Sequence, residues 1–390
     1  MELHLSYDDR YHFSSPVTKI SDPAVLTLTS ASDAVATGIG TCVVTLEEGD
    51  SCTVTVSAAP LSVLLIIGQS NGEGSTVGEN EICDGERVKS VICPSGQVYT
   101  TYAWSTLGHA RRVAGIESQT AFTTESAPKF VASSLTSDLS RAGTPLEYSL
   151  SAFTADGQGK VGFDSALAFN WNRLTGEKVW VVNCAAGSTA IEAWLPEADR
   201  YENCAALMAQ VNKTLNEEIT QGHYTLSKFA AFWLQGESNK ADTCEEYTAK
   251  FETMYSSMKR DLILPHGHGL DGMGIVSVRS FLHTNDEQDL CDNGPRQAQR
   301  NAVCAKEGLF ADVFRACAVN DLWVTDFAVS DYWDAVYPNS VYPFQTHVPY
   351  DNPKTIAQVH NSIHYFQPGY NEIGMTSARA ALANLKETSR

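Results

Sequence analysis

The chain has 390 residues, 43% of them hydrophobic and 9% aromatic, enough for one large α/β domain with a small companion. Asp and Glu total 46 against 27 Lys and Arg, a formal net charge of -19. That balance argues against nucleic acid and against anionic membrane surfaces, both of which are gripped through Lys and Arg; an uncharged polysaccharide fits better.

No apolar run is long enough to cross a membrane, and the start, MELHLSYDD, lacks the basic-then-apolar order of a signal peptide. The ten cysteines include two pairs spaced ten apart, Cys42/Cys52 and Cys83/Cys93, as facing strands or a short loop would place them. None forms C-x-x-C and no His stands at zinc-finger spacing, so no structural metal is expected, and free buried thiols are the ordinary expectation.

Residues 1–60 read as a β module. AVLTLTS (24–30), TCVVTLEE (41–48) and SCTVTVSA (51–58) alternate with period two and carry no helical periodicity. The closing V-T…V-T-V run resembles bacterial immunoglobulin-like modules of group two; the plainer alternative is a β-rich leader packed on the larger domain.

After Pro60 the pattern changes. LSVLLII (61–67) is a continuous apolar strand of the kind found inside parallel sheets. KVWVVNCA (178–185), KFAAFWLQ (228–235) and MGIVSVRSF (273–281) are three more. Between them Met208, Val211, Leu215 and Ile219, then Tyr247, Phe251, Met254 and Met258, recur at helical spacing. Strand–helix alternation over 61–390 predicts a doubly wound parallel sheet, whose functional residues gather at the carboxyl ends of its strands.

Three clusters fall at such places, and a fourth stands just before the final helical stretch. Gly68-Gln69-Ser70-Asn71-Gly72 follows the first apolar strand and puts a serine between glycines, where its hydroxyl stands clear. The string also reads G-x-S-x-G, the nucleophile elbow of α/β-hydrolases, but that elbow follows several sheet strands and this one follows the first. Asn183–Trp194 is a small-residue loop whose backbone N–H groups suit an oxyanion hole, with Trp194 as a wall for stacking on sugar. Gln235-Gly236-Glu237-Ser238-Asn239 offers an amide donor and a carboxylate that can orient a histidine. His364, beside Pro368-Gly369 and before a final helical stretch, is a candidate general base. Taken singly, each has a plain reading: a glycine turn, a core Trp, a solvated loop, a structural His.

In order, the four resemble the SGNH hydrolases, in the branch of sialate O-acetylesterases and acetylxylan esterases of carbohydrate esterase family six. That branch carries G-Q-S-N, G-G-T-x-I-E-x-W, Q-G-E-S-D and H-x-x-x-x-G-Y blocks. The resemblance implies a flavodoxin-like three-layer SGNH domain and a serine esterase that removes O-acetyl groups from carbohydrate. It implies Ser70 as nucleophile and His364 as base and acid. It implies the N–H groups of Ser70 and Gly187 and the Gln235 side chain as oxyanion donors. Gln69, Asn71 and Trp194 are expected to touch substrate. No metal and no organic cofactor is implied. An extracellular or cell-surface setting suits this reading better than a cytoplasmic one.

Three positions depart from the branch pattern. Ser188 replaces the second glycine of G-G-T, which leaves open whether its own N–H takes over from Gly187 as the loop donor, and Asn239 replaces the aspartate of Q-G-E-S-D. Asn361 stands three residues before His364, where many SGNH enzymes carry Asp. An amide supplies no charge to hold an imidazolium, so Glu237 is expected as the third triad member. His360, His266 and His268 are weaker candidates. A lipase or thioesterase on this fold would need an apolar groove, whereas the loops offer Trp104, Trp194, Trp323 and Trp333. A non-catalytic carbohydrate-binding protein would need no triad.

Overall fold

The computed structural model describes residues 2–73, 163–276, 293–317 and 367–385, and between them five short strands: Ser75–Val77, Ile82–Cys83, Glu86–Arg87, Val98–Tyr102 and Gly159–Val161. His360, Asn361 and His364, and the tryptophans Trp104, Trp323 and Trp333, lie outside the described residues.

The amino-terminal part is all β. Strands β1 (Glu2–Ser6), β2 (Arg10–His12), β3 (Val17–Ile20), β4 (Leu26–Leu28), β5 (Asp33–Ala36), β6 (Gly40–Leu46) and β7 (Ser51–Ser57) form two sheets, ordered β1-β7-β6-β3 and β2-β5-β4. All pairings are antiparallel except β1 with β7, which run parallel. The alternation seen in the sequence is the alternation of burial: Cys52, Val54 and Val56 point inward while Ser51 and Ser57 face out. The inward side chains of both sheets, with Phe13 and Leu26, form one core. Cys42 and Cys52 are diagonal neighbours on β6 and β7, and both are free thiols. Burial pushes the Cys42 thiol up, with Asp22 and Cys52 adding to the effect.

One residue, Ala58, separates β7 from β8 (Ala59–Gly68), the first strand of the second part. Four of the short strands are β9 (Ser75–Val77), β10 (Ile82–Cys83), β11 (Glu86–Arg87) and β12 (Val98–Tyr102); the fifth is β13 (Gly159–Val161). Strands β14 (Lys178–Asn183), β15 (Tyr224–Leu234), β16 (Gly272–Val276) and β17 (Val313–Cys317) complete the main sheet. Its order is β12-β14-β8-β15-β16-β17, every neighbour parallel. Without β12, the order of the remaining five by position in the chain is 2-1-3-4-5, the flavodoxin-like arrangement expected, and β12 adds a sixth strand at the edge.

The helices are α1 (Ser70–Glu73), α2 (Asp164–Thr175), α3 (Asp199–Thr220), α4 (Cys244–Asp261), α5 (Gly294–Cys304) and α6 (Gln367–Asn384). Residues of β8 divide between two cores. Leu61, Val63, Leu65 and Ile67 pack with buried residues of α3, α4 and α5. Leu64 and Ile66 pack with those of α2 and α6. A strand covered on both faces has no reason to alternate, which is why LSVLLII is continuously apolar. The expected periodic residues bury as a stripe: Met208, Val211 and Leu215 on α3, and Tyr247, Phe251, Met254 and Met258 on α4. Thr243 closes a capping box with Glu246 at the start of α4.

The β-rich part docks at the amino ends of the sheet strands. Lys178, at the start of β14 and 1% exposed, forms an ion pair with Asp9 at 2.8 Å. The Tyr7 ring stacks on His223 at 4.0 Å and meets Tyr224 edge-on, just where β15 begins. Burial pulls the Lys178 ammonium below the usual lysine range, and Asp9 offsets only part of that. Asp9→Asn therefore leaves a buried cation short of its partner, and should lower stability by about 2 kcal/mol, read as a drop in thermal midpoint. The double variant Asp9→Leu with Lys178→Met should recover most of the loss, because it removes both charges together.

Candidate active site

Four chain segments meet at the carboxyl end of the sheet, and the turn after β8 sets their positions. Gly68 has φ +124°, and a Cβ built there would lie 2.2 Å from the Leu234 carbonyl oxygen. Only glycine allows so close an approach to β15. The Gln69 N–H then donates to that same oxygen at 2.8 Å, and Ser70 follows, half-buried, as the first residue of α1.

Its neighbours are turned into the protein. The Gln69 side-chain oxygen accepts from the Ser238 N–H at 3.1 Å and the Gly236 N–H at 3.4 Å. The Asn71 amide donates to Glu237 Oε1 at 2.9 Å, while its oxygen accepts from the Tyr370 hydroxyl at 3.0 Å. Both side chains are buried, so the substrate contacts expected of Gln69 and Asn71 give way to holding the loops together.

The loop after β14 is pinned in the same manner. Asn183 donates to the Gly72 carbonyl at 3.0 Å and accepts from the Ala185 N–H at 3.0 Å. The Gly187 N–H, expected to serve the oxyanion, donates to the Glu73 carboxylate at 2.6 Å. Ser188 has φ +60°, which explains the glycine of the branch pattern: this position is left-handed. Trp194 corrects an expectation. It is 1% exposed, donates to the Thr189 hydroxyl at 3.1 Å and packs edge-on against Trp233, so no face is open to sugar. Burying the large ring yields more than an exposed stacking wall, and Thr189 satisfies its N–H.

The loop after β15 holds the densest polar network. Both Gln235 amide hydrogens are taken, by Asn239 Oδ1 at 2.6 Å and the Thr189 carbonyl at 3.3 Å, and its oxygen accepts from Tyr247 at 2.6 Å. Gln235 is thus a latch inside the protein, not the free oxyanion donor expected. Asn239 also accepts from the Ile191 N–H at 2.8 Å and donates to Glu192 at 2.9 Å and Asp242 at 3.0 Å. Lys250 bridges those two carboxylates, at 2.5 Å and 2.7 Å. Burial pushes the Glu192 carboxyl up, but hydrogen bonds from Lys250 and Asn239 outweigh it and hold the group below the usual range. Burial pushes the Tyr247 phenol far up, so it stays a donor.

The structure therefore brings Ser70, Gly187, Gln235 and Glu237 to one end of the sheet, with Tyr370 of the last motif among them. His364 and Asn361 lie outside the described residues. Sequence reasoning passed over Glu73 and the Lys250 pair, and quoted Asn183 and the Tyr370 position of the last motif without giving either side chain a role. Among the described residues, no three His, Cys, Asp or Glu are grouped to hold a metal ion.

Asn239 fills all four of its hydrogen-bonding positions, and the two it donates go to carboxylates. Asn239→Asp, a return to the branch pattern, should therefore destabilise the protein, by about 2 kcal/mol or more, because it sets a third carboxylate against two others and removes both donors. Thermal unfolding of the variant checks this; an unchanged or raised midpoint would overturn the account of the network.

Residues 60–268, more than half of the chain, match the family described as carbohydrate esterase, sialic acid-specific acetylesterase. No curated protein matches by sequence. Among solved structures, a protein from Arabidopsis thaliana is similar at 16% identity and TM-score 0.44, over 84% of this chain and all of that one. NanS is similar at 16% identity and TM-score 0.45, over 84% of this chain and 98% of its own. A carbohydrate acetylesterase from Xanthomonas citri is similar at 14% identity and TM-score 0.37, over 97% of this chain and 72% of that one. With residues 60–268, more than half its length, matched, the chain belongs to the carbohydrate esterase, sialic acid-specific acetylesterase family.

Proposed function

We propose that this carbohydrate esterase removes O-acetyl groups through an acetyl-Ser70 intermediate, with His364 as general base and Glu237 as the acid that orients it. The observation that carries the reading is the double hydrogen bond of Asn71. Next to Ser70 in the chain, it binds Glu237 on one side and Tyr370, six residues beyond His364, on the other. One amide thus ties the turn that carries Ser70 to Glu237 and to α6, the helix that follows His364 in the chain.

In this reading Ser70 Oγ attacks the acetyl carbonyl carbon while His364 takes its proton, and the N–H groups of Ser70 and Gly187 receive the developing oxyanion. His364 then protonates the departing sugar oxygen. Water, deprotonated by the same imidazole, attacks the acetyl-serine. As the acyl–Oγ bond breaks, the imidazolium returns that proton to Ser70 Oγ, and acetic acid leaves and ionises to acetate. Glu237 is 9% exposed. As His364 becomes cationic in that partly dry place, a carboxylate stabilises it far better than the neutral amide of Asn361. Glu237 also accepts from Asn71, which aims it toward the nucleophile turn.

We assign residues 1–60 to an immunoglobulin-like module that targets or displays the enzyme. Its contacts with the sheet, at Lys178, His223 and Tyr224, lie at the opposite end from Ser70, one strand length or about 30 Å away.

Ser70→Ala should lower hydrolysis of a chromogenic acetyl ester at least about a thousandfold with the fold intact by circular dichroism. Retained turnover in the folded variant ends the nucleophile assignment. Glu237→Gln should slow the reaction by about a hundredfold or more, and Asn361→Ala far less. Equal losses, or a larger one at Asn361, would transfer the triad role to that position. Acetate release from acetylated xylan, mannan and sialoside then names the carbohydrate.

A further inference from the structure

We infer that Glu73 is a built-in ligand of the acetyl pocket: its carboxylate occupies, in the resting enzyme, the place at the Gly187 N–H that substrate carbonyl and product acetate take. The inference rests on the reading of Ser70 and Gly187 proposed above. The contact is direct, 2.6 Å from the Gly187 nitrogen to Glu73 Oε2. It lies beside the nucleophile, because a Cβ built on Gly187 would stand 3.0 Å from Glu73 Oε2 and 3.8 Å from Ser70 Cβ. Glu73 is three residues after Ser70 on the single turn of α1, so the two side chains rise from one face. The turn itself is closed by the Glu73 N–H on the Gln69 carbonyl at 3.0 Å, so the carboxylate reaches Gly187 from a fixed base.

The chemistry of the occupant identifies the pocket. A carboxylate on a backbone N–H is a charge-assisted acceptor, shaped like acetate and carrying the charge of an oxyanion. A neutral ester carbonyl is a weaker acceptor and must displace it to bind. An internal competitor of this kind multiplies the affinity of every occupant of the pocket by one factor, the fraction of enzyme whose pocket is open. It leaves turnover at saturating substrate unchanged.

Glu73→Ala should therefore lower KM for a neutral acetyl ester by about three- to tenfold, with kcat little changed. The dissociation constant of 13C-labelled acetate, read by NMR titration without turnover, should fall by the same factor. Glu73→Gln keeps a neutral acceptor of the same size and should give a smaller fall in both. If Glu73 instead anchors the loop in its working shape, Glu73→Ala lowers kcat and weakens acetate binding, and the proposal is overturned. Unchanged KM and unchanged acetate affinity overturn it equally. Should the alanine variant fail to fold, the isosteric glutamine variant decides by the same two readings. An active Ser70→Ala enzyme would strike the nucleophile assignment alone, since acetate affinity at Gly187 is measured without reaction.

Discussion

Strand β8 has no free edge and no free face, and the architecture of the site follows from that confinement. It is paired on both sides, by β14 and β15, and covered above and below by separate cores. At its carboxyl end the chain must leave the sheet against the Leu234 carbonyl, through a glycine no other residue can replace. The loops after β8, β14 and β15 are consequently crowded together. Their polar groups, cut off from water, must satisfy one another. Thr189 reaches back to the Gly68 carbonyl, Asn183 to Gly72, and Gln69 across to Ser238.

A second theme is the use of side-chain amides between acids. Asn71 stands between Glu237 and a phenol, Asn239 between Glu192 and Asp242, and Gln299 donates to the Gln235 carbonyl at 2.6 Å. An amide donates with one end and accepts with the other, so it joins a carboxylate to a hydroxyl or an N–H without adding charge. In a chain of net charge -19, that keeps several carboxylates near one another without direct repulsion. Where an amide does not suffice, Lys250 supplies a cation.

Much of the fold was legible because burial on two faces writes a continuous apolar run, and burial on one writes alternation. The strands that escaped notice lack either signature. Strand β17 reads VFRAC, with Arg315 exposed, and β12 reads VYTTY at the sheet edge. The motifs after β8, β14 and β15 lie at strand ends, as the alternation of strands and helices led one to expect. The direction of individual side chains was not legible. Gln69, Asn71, Gln235 and Trp194 look like substrate contacts because polar and aromatic residues in loops usually face solvent. Here the loops pack on one another, and these side chains are the packing. Nor does the string Gly187-Ser188 reveal which residue takes the left-handed turn; backbone geometry does.

The junction at Ala58 has a mechanical meaning. One residue between β7 and β8, an ion pair and a stacked ring leave the amino-terminal part and the sheet little freedom to rotate against each other. The sheet is then itself the spacer, stiff along its strands, with its reactive end pointing away from the junction. Whatever grips the amino-terminal part also aims the esterase, as a handle aims a blade.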